Sequence, residues 1–358
     1  MAKGTKIIKG TKGQKGTKGK TAKKTRGKAI RPDLISESLW APLATRALIT
    51  GTELGVFSLI AEGTRTTDDI AGRLKGSKRG IQMLLDALAG LGYLNKKGNR
   101  YGLEPIAETF LVKGKPGYMG DLVTTLGMIR MNWDTLTDSV LSGKPIATVD
   151  VEEAGREFFP KLVAGLFTGS FNAARVAAGS LSPRAKKSIK KVMDVAAGSG
   201  AWSIPFAQAI PDARVTVVDF PEVTTITRDF TNKFGVDDQY DYVAANLREV
   251  DFGRNKYDLI ILGHIIHSEG EKWGKKLVKK SYDALRPGGM LLIAEMVPED
   301  PRSHRWIPVI FGLNMLMVTS EGAVFTMREY RQWLKEAGFT RVQAIEAPAP
   351  SPLILATK

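Results

Sequence analysis

The sequence predicts an α/β protein with a doubly wound, mostly parallel sheet in its C-terminal part and a mainly helical N-terminal domain of the winged-helix type. The first observation is a series of short apolar runs rich in β-branched residues, "KVMDVAAG", "RVTVVDF", "YDLIILGH" and "GGMLLIAEM", which alternate with helical stretches. Such alternation is typical of a parallel sheet covered by helices on both faces. The second observation is a helical pattern before residue 113 that changes to a short extended unit.

The composition excludes several kinds of chemistry. The 358 residues include no cysteine, which excludes disulfides, thiolate metal sites and cysteine nucleophiles. No apolar run reaches the roughly 18 residues of a transmembrane helix, and the N-terminus lacks the pattern of a secretory signal. We therefore expect a cytoplasmic protein that does not insert into membranes.

Residues 1–30 form the first predicted region, a disordered basic tail. Residues 1–31 contain twelve Lys or Arg and no acidic residue, so they account for twelve of the net +15 charges. Lysine at nearly every third position, usually followed by glycine, leaves too few apolar residues for a core. The tail predicts weak binding to nucleic acid or an anionic surface, or else a merely solubilising extension.

Residues 31–115 form the second predicted region, a winged-helix domain. The stretch "LWAPLATRALITGTELGVFSLIAEG" is apolar on more than one helix face, which indicates packing against a partner as well as its own core. In the next helix pair, Thr66 or Thr67 is expected to cap the first helix and Gly76 to separate the two, with a hairpin turned at "KKGN". The second helix is apolar beyond its first turn, so dimerisation is favoured over DNA reading.

Residues 116–190 form the third predicted region, a helical connection rich in methionine and aromatic residues. Met128, Met131, Phe167 and Phe171 belong to these clusters. Such stripes belong to a core more often than to a pocket, and at this point both interpretations remain open.

The fourth predicted region, residues 191–358, contains the doubly wound sheet and a candidate cofactor loop. The loop is "DVAAGSGAW", residues 194–202, in which Gly198 and Gly200 allow a tight turn and a close approach to a ligand. Ala196 stands where a dinucleotide-binding motif would have its first glycine, and residue 203 is serine, so the full G-x-G-x-x-G motif is absent.

A carboxylate at the end of the second strand completes the cofactor prediction. Asp219 follows Gly200 by 19 residues, where an acidic side chain can accept hydrogen bonds from both hydroxyls of a ribose. The ligand is therefore expected to contain a ribose, whereas the shortened loop does not favour a pyrophosphate. S-adenosylmethionine fits these two conditions better than NAD.

Over roughly residues 34–347 the sequence resembles the S-adenosylmethionine-dependent O-methyltransferases of the small-molecule type. The resemblance rests on an ordered set of motifs: the two apolar stretches "LWAPLATRALITGTELGVFSLIAEG" and "LLDALAGLGYL", the loop "DVAAGSG" and the second-strand motif "VDFPEV". It implies an N-terminal winged-helix dimerisation domain, a C-terminal Rossmann-like catalytic domain of the class I methyltransferase type, and a homodimer. It also implies that Asp219 holds the ribose and that Asp194 supports the loop. Phe220 and Asn246 would then lie near the adenine.

The same resemblance implies a general base in "GHIIHSEG", residues 263–270, which contains two of the three histidines of the chain. "IIHSE" is similar to the family's I-L-H-D-W stretch, which makes His267 the candidate base and Glu295 of "LLIAEM" its supporting carboxylate. A second supporting glutamate usually precedes the threonine of the last helix. Here that position is Val324, with Glu321 as the nearest acid.

A shared metal site is the alternative for the two histidines of that stretch. His264 and His267 are three residues apart at a strand end, where side chains are expected to point in different directions, so we predict no metal. His264 and the third histidine, His304, are interpreted as structural.

The predicted function is methyl transfer from S-adenosylmethionine to a hydroxyl of an aromatic or polyketide-like small molecule. By loose resemblance, five residues would line the substrate pocket: Met128, Met131, Phe167, Phe171 and Asn314. Two alternatives remain open, a C-methyltransferase acting on a molecule such as a tetrapyrrole, and a nucleic-acid-binding regulator that retains the cofactor fold.

Overall fold

The computed structural model describes residues 31–146, 152–300, 302, 306–348 and 352–358. The predicted basic tail, residues 1–30, lies outside the described residues. The chain divides into two compact units, Met1–Pro42 and Leu43–Lys358, and the boundary falls within the first helix. No helix in the described ranges is long and apolar enough to cross a membrane.

The N-terminal part is helical and ends in a short antiparallel hairpin. Its elements are α1 (Asp33–Glu53), α2 (Val56–Ala61), α3 (Thr67–Leu74), α4 (Lys78–Gly90), β1 (Leu94–Lys97), β2 (Arg100–Leu103) and α5 (Pro105–Phe110). Thr66 is the cap of α3, because its side-chain oxygen accepts a hydrogen bond from the Asp69 N–H at 3.2 Å. Phe57, Leu85 and Tyr101 are fully buried between these elements and form the centre of a separate small core.

A set of helices connects this part to the main sheet. They are α6 (Gly120–Ile129), a 3₁₀ helix (Arg130–Thr135), α7 (Leu136–Ser142), α8 (Glu152–Ser180) and α9 (Pro183–Ser188). Helix α8 buries alanines in its C-terminal half, among them Ala173, Ala174 and Ala177. Such small side chains allow a neighbouring element to approach closely, and α8 packs directly against the main sheet core.

The C-terminal part is a sheet of seven strands in the described residues, with the order β5-β4-β3-β6-β7-β9-β8. Its strands are β3 (Lys191–Val195), β4 (Arg214–Asp219), β5 (Tyr240–Ala244), β6 (Tyr257–Gly263), β7 (Leu285–Ala294), β8 (Arg341–Ile345) and β9 (Leu353–Thr357). Its helices are α10 (Ile204–Ala209), α11 (Pro221–Lys233), α12 (Ile266–Ala284), α13 (Trp306–Val318) and α14 (Met327–Ala337). A short 3₁₀ turn, Asp237–Gln239, precedes β5.

Strands β3 to β7 run parallel, and β9 is antiparallel to both of its neighbours. The four runs predicted as strands are β3, β4, β6 and β7. Because β3 pairs with β4 on one side and with β6 on the other, the strand order reverses beside β3. In open α/β sheets ligands bind outside the carboxyl ends of the strands at such a switch point.

Both faces of the sheet are covered, which explains why its strands are apolar without alternation. On β6, Leu259 and Ile261 belong to the core on one face, whereas Ile260 and Leu262 belong to the core on the other. All four side chains are fully buried. Helices on both sides therefore leave only the strand ends free to carry polar groups.

Candidate active site

A tight turn follows β3 at the switch point. Ala196, Gly198 and Gly200 have φ values of +56°, +57° and +72°. This left-handed region favours glycine, because a Cβ collides there with the following carbonyl oxygen at a cost of roughly 1–2 kcal/mol. Ala196 adopts this unfavourable conformation at the position where the motif would have a glycine. The backbone therefore follows a glycine-loop path although the first glycine is missing.

Asp219, the last residue of β4, is bonded to this loop. Its Oδ2 accepts a hydrogen bond from the Gly198 N–H and its Oδ1 from the Phe220 N–H, each at 2.8 Å. Burial raises the pKa of Asp219 to about 6, and these two donors oppose the rise. Each carboxylate oxygen can still accept another hydrogen bond, which is what two neighbouring ribose hydroxyls require.

The loop after β5 lies beside Asp219. The Ala245 N–H, directly after β5, donates to the Asp219 carbonyl oxygen at 2.9 Å, so Asn246 is the next residue beyond a backbone contact with the end of β4. Lys280 of α12 holds the same loop, because its Nζ donates to the carbonyl oxygens of Leu247 and Val250 at 3.3 and 2.8 Å. Asn246 thus lies on a segment that is anchored on both sides.

A histidine–glutamate pair occupies the neighbouring strand ends. His267 lies in the first turn of α12, and its Nδ1 is 2.6 Å from Oε2 of Glu295, the residue that follows β7. Oε1 of Glu295 accepts hydrogen bonds from the N–H groups of Ile266 and His267 at 2.7 and 3.3 Å. Both side chains are buried. The ring of His267 is therefore oriented through its side chain and through its own backbone.

The pair also defines which nitrogen of His267 can take a proton. Burial alone would raise the pKa of Glu295, but the pairing with His267 and the hydrogen bonds hold that pKa below its usual value. An ionised Glu295 accepts at Nδ1, so the ring proton belongs on Nδ1 and the lone pair on Nε2. The arrangement presents one basic nitrogen away from the carboxylate.

His264 lies closer to this pair than expected. It has a left-handed φ of +57°, and its ring is 5.8 Å from that of His267 and 5.7 Å from that of Trp202. The expectation that the two histidines point in different directions is therefore wrong, because His264 has left the strand conformation and His267 already belongs to a helix. Burial lowers the pKa of His264 to about 4, with Glu295 opposing the shift.

Two protein-family models match the sequence: the O-methyltransferase dimerisation domain over residues 39–113 and the O-methyltransferase domain over residues 175–340. The chain belongs to the S-adenosylmethionine-dependent O-methyltransferase family. It is therefore an S-adenosylmethionine-dependent methyltransferase with a Rossmann-like class I fold and an N-terminal helical dimerisation domain.

Relatives of this methyltransferase align over nearly its whole length. The chain is 29% identical to the 3-hydroxy-5-methyl-1-naphthoate 3-O-methyltransferase of Streptomyces sahachiroi, over 89% of this chain and 92% of that protein. It is 28% identical to the tetracenomycin polyketide synthesis 8-O-methyl transferase of Streptomyces glaucescens, over 91% of this chain and 97% of that protein. A solved structure of a candidate O-methyltransferase from Nostoc punctiforme superposes with a TM-score of 0.83 at 27% identity, covering 92% of this chain and 99% of that one.

At the position where the resemblance implies a second supporting glutamate, this methyltransferase has Val324. It lies against Gly312 of α13, where an added Cβ would be 3.2 Å from the valine side chain. Glu321 is exposed. The segment contacts His267 through its backbone, because the Ala323 N–H donates to the His267 carbonyl oxygen at 2.9 Å.

Side chains of α13 form an aromatic and polar wall beside His267. Phe311 lies edge-on to the ring of His267 at 4.9 Å. Asn314, one helical turn further along, accepts a hydrogen bond from Trp133 Nε1 at 3.4 Å. The structure therefore brings the predicted substrate residue Asn314 onto the same helix face as Phe311.

The other predicted substrate residues are placed differently. Phe167 and Phe171 stack on each other at 5.1 Å and pack against Phe230 and Phe234 of the segment around α11, and Phe167 is only 8% exposed. Met128 and Met131 lie in α6 and in the following 3₁₀ helix, but their side chains lie outside the described residues. A substrate role for these four residues stays a prediction.

Phe311 and Trp133 were not identified as site residues from the sequence. Phe311 precedes Asn314 by three positions, so helical spacing could have linked it to the predicted pocket. Trp133 carries no comparable signal, because it is 181 positions from its partner Asn314. Only the packing of α13 against the connecting helices brings these two residues together.

Asp194 allows a prediction about stability and pH in the cofactor-free protein. It is fully buried on β3, and neither of its carboxylate oxygens has a hydrogen-bond partner among the described residues. Burial raises its pKa to about 7; the nearby hydroxyl and N–H of Ser203 oppose the rise, and Asp219 adds to it. The folded state thus binds a proton that the unfolded state releases at about pH 4, so stability should fall as the pH rises from about 4 to 7.

The variant Asp194→Asn is expected to remove that dependence. It should melt several degrees above the native protein at pH 8, where the native carboxylate is ionised, and close to it at pH 5. Scanning calorimetry of both proteins without cofactor measures the difference. A native melting temperature that does not fall between pH 5 and 8, relative to the variant, would contradict the assignment.

Proposed function

We propose that this enzyme transfers the methyl group of S-adenosylmethionine to a hydroxyl of an aromatic or polyketide-like small molecule, with His267 as the general base. The observation that supports it most directly is the buried His267–Glu295 pair beside the switch point, with Phe311 of α13 in contact with the His267 ring. The two Streptomyces relatives are named for a naphthoate and a polyketide acceptor, which supports the acceptor class.

The residues present fit the cofactor. Asp219 has acceptor capacity for the ribose hydroxyls, and the loop of Ala196, Gly198 and Gly200 leaves little side-chain bulk beside it. Asp219, which is ionised above about pH 6, gives this region negative charge. S-adenosylmethionine, when bound, supplies an electrophilic methyl group on a sulfonium cation, and nearby anionic groups favour a cation.

The protein's own work is alignment and removal of one proton. His267 Nε2 accepts the proton of the acceptor hydroxyl, while Glu295 holds the ring and stabilises the imidazolium that forms. Full ionisation of a phenol of pKa about 10 by an imidazole of pKa about 6.5 would cost roughly 5 kcal/mol. We therefore expect the proton to move together with the attack of oxygen on the methyl carbon.

A screen of hydroxylated aromatic compounds with S-adenosylmethionine carrying a carbon-13 methyl group tests this function. Products with O-methyl carbon resonances support it, whereas C-methyl products support the alternative of carbon methylation. Cofactor binding by calorimetry without turnover of any acceptor would support the alternative of a regulator that retains the cofactor fold. No binding of the cofactor would contradict the proposal outright.

Nucleic-acid binding by the basic tail also stays a proposal, because residues 1–30 lie outside the described residues. Phosphate contacts by Lys and Arg weaken steeply with salt. Deleting residues 1–30 should abolish salt-sensitive retention of DNA and leave small-molecule turnover unchanged. Equal DNA retention by both proteins would exclude a role for the tail.

We further propose that the enzyme is a homodimer formed through its N-terminal part. In the first half of α1, Leu39 and Trp40 are about 70% exposed. Separately, Leu43, Ile81 and Leu84 contribute to an open apolar groove of about 530 Å³ in the second compact unit. Exposed apolar surfaces of this kind usually mark an interface.

The double variant Leu39→Glu, Trp40→Glu is expected to convert the dimer to a monomer, because two carboxylates would lose their hydration in an apolar interface. Light scattering after size exclusion should show a mass near 39.0 kDa for the variant and twice that for the native protein. The variant Glu37→Gln, also on an exposed part of α1, is the control and should stay dimeric. A native protein that elutes as a monomer would contradict the proposal.

A further inference from the structure

His264, His267 and Glu295 meet at the carboxyl edge of the sheet, each at the end of a different element. His264 follows β6, His267 begins α12 and Glu295 follows β7. One ligand atom from each residue lies within 4.8 Å of the others. His267 and Glu295 are already in contact at 2.6 Å.

The spacing of these atoms suits one transition-metal ion. A tetrahedral ion with bonds of about 2.0–2.1 Å keeps its ligand atoms about 3.3 Å apart. The observed separations, from 2.6 Å up to no more than 4.8 Å, bracket that value. The left-handed backbone of His264 contributes, because it turns this ring towards His267 and away from the strand direction.

The ligand types select the class of ion. Two imidazoles and one carboxylate suit Zn²⁺, Co²⁺, Ni²⁺ or Cu²⁺, whereas Mg²⁺ and Ca²⁺ prefer oxygen ligands. Three protein ligands also leave a fourth position open for water or an acceptor oxygen. We propose that His264, His267 and Glu295 bind one Zn²⁺ or similar ion, and that this ion inhibits the enzyme by occupying the base and its partner.

The composition of the chain makes this site unusually easy to isolate. There is no cysteine, and His304 is the only other histidine. His304 lies outside the described residues, and the variant His304→Gln is therefore the control for the one remaining histidine. The test variant is His264→Asn, because asparagine tolerates a left-handed backbone and lacks the imidazole ligand.

Titration of the full chain with Co²⁺ tests the site directly. Native protein and His304→Gln should each bind one Co²⁺ with the intense visible absorption of a tetrahedral ion, and Zn²⁺ should displace it. In His264→Asn we expect binding at least about 30-fold weaker, since loss of a supporting partner alone costs about 10–100-fold in affinity. Absence of the tetrahedral spectrum from native protein, or its persistence in His264→Asn, would overturn the site.

A second measurement, the melting temperature, tests whether the variant is folded. Zn²⁺ at 100 times its dissociation constant should stabilise the native fold by about 2.7 kcal/mol and raise its melting temperature. His264→Asn should melt cooperatively without Zn²⁺ and show no such rise with it. An equal rise in both proteins would also overturn the site.

The predicted inhibition by the metal rests on the proposed function, whereas the predicted binding of the metal does not. Zn²⁺ that fills the site should lower methyl transfer by native enzyme at least about 20-fold, with recovery after EDTA, since a bound ion removes general-base catalysis worth about 10²–10⁴-fold. Each variant is compared with its own metal-free rate. A filled site with an undiminished rate would refute His267 as the base and leave the metal site standing.

Discussion

Replacing His267 with alanine is expected to lower kcat for methyl transfer by about 10²–10⁴-fold, the usual contribution of a positioned general base. Affinity for S-adenosylmethionine should change by no more than about twofold, because the proposed cofactor contacts are made by Asp219 and its loop and not by His267. Steady-state kinetics with a phenolic acceptor and calorimetry with the cofactor measure the two quantities. Equal rates from the variant and the native enzyme would remove His267 from the mechanism.

Glu295→Gln separates positioning from proton transfer. The amide can still accept a hydrogen bond at one oxygen, but it cannot stabilise an imidazolium by charge. We expect a smaller loss of kcat than in His267→Ala, because Nε2 of His267 is kept and only the charge that stabilises the imidazolium is lost. A loss of kcat that comes with a much lower melting temperature than that of the native enzyme would indicate a purely structural role for Glu295.

Asp219→Asn is expected to weaken binding of S-adenosylmethionine by about 10²-fold. Two ribose hydroxyls donating to a charged acceptor are worth about 1.5–3 kcal/mol each, and the amide retains only one acceptor oxygen. Asp241→Asn makes the same change on the adjacent strand β5 at an exposed position, and it should leave the affinity unaltered. Calorimetry on the three proteins gives the comparison.

The raised pKa of Asp219 adds a pH test to the same experiment. Only the ionised carboxylate offers both oxygens as acceptors, and the group protonates as the pH falls through about 6. Cofactor affinity of the native protein should therefore fall between pH 7 and 5 by up to about tenfold per unit, more steeply than in Asp219→Asn. Affinity that is independent of pH in the native protein would contradict the role of this carboxylate.

The predictions that rested on local motifs agree with the fold. The four apolar runs are strands of the central sheet, and Asp219 and Glu295 lie at the carboxyl ends of β4 and β7. Parallel strands bring their carboxyl ends to one edge, so a linear order of strand-end residues already implies a shared site. The contact of His267 with Glu295 was implied by the family resemblance and is present at 2.6 Å.

Other features could not be read from motifs. Strands β5, β8 and β9 were not predicted as strands. The last two pair with each other antiparallel, and β8 forms one edge of the sheet. The relation of His264 to His267 was predicted wrongly, because strand periodicity does not apply once a residue turns into the left-handed region. The packing of Phe167 on Phe230 was likewise invisible, since it joins two helices far apart in sequence.

By itself, the sequence determined the fold class, the position of the glycine loop and the strand-end positions of Asp219 and Glu295, and the family resemblance implied that Glu295 pairs with His267. The strand-end positions follow from residue types at fixed offsets, which parallel-sheet geometry converts into places along one edge. Only the tertiary structure decided which side chains surround His267: His264 through its backbone conformation, Phe311 and Asn314 through the packing of α13, and Val324 through its contact with that helix. Contacts between distant elements follow from close packing of the whole core, and no local pattern encodes them.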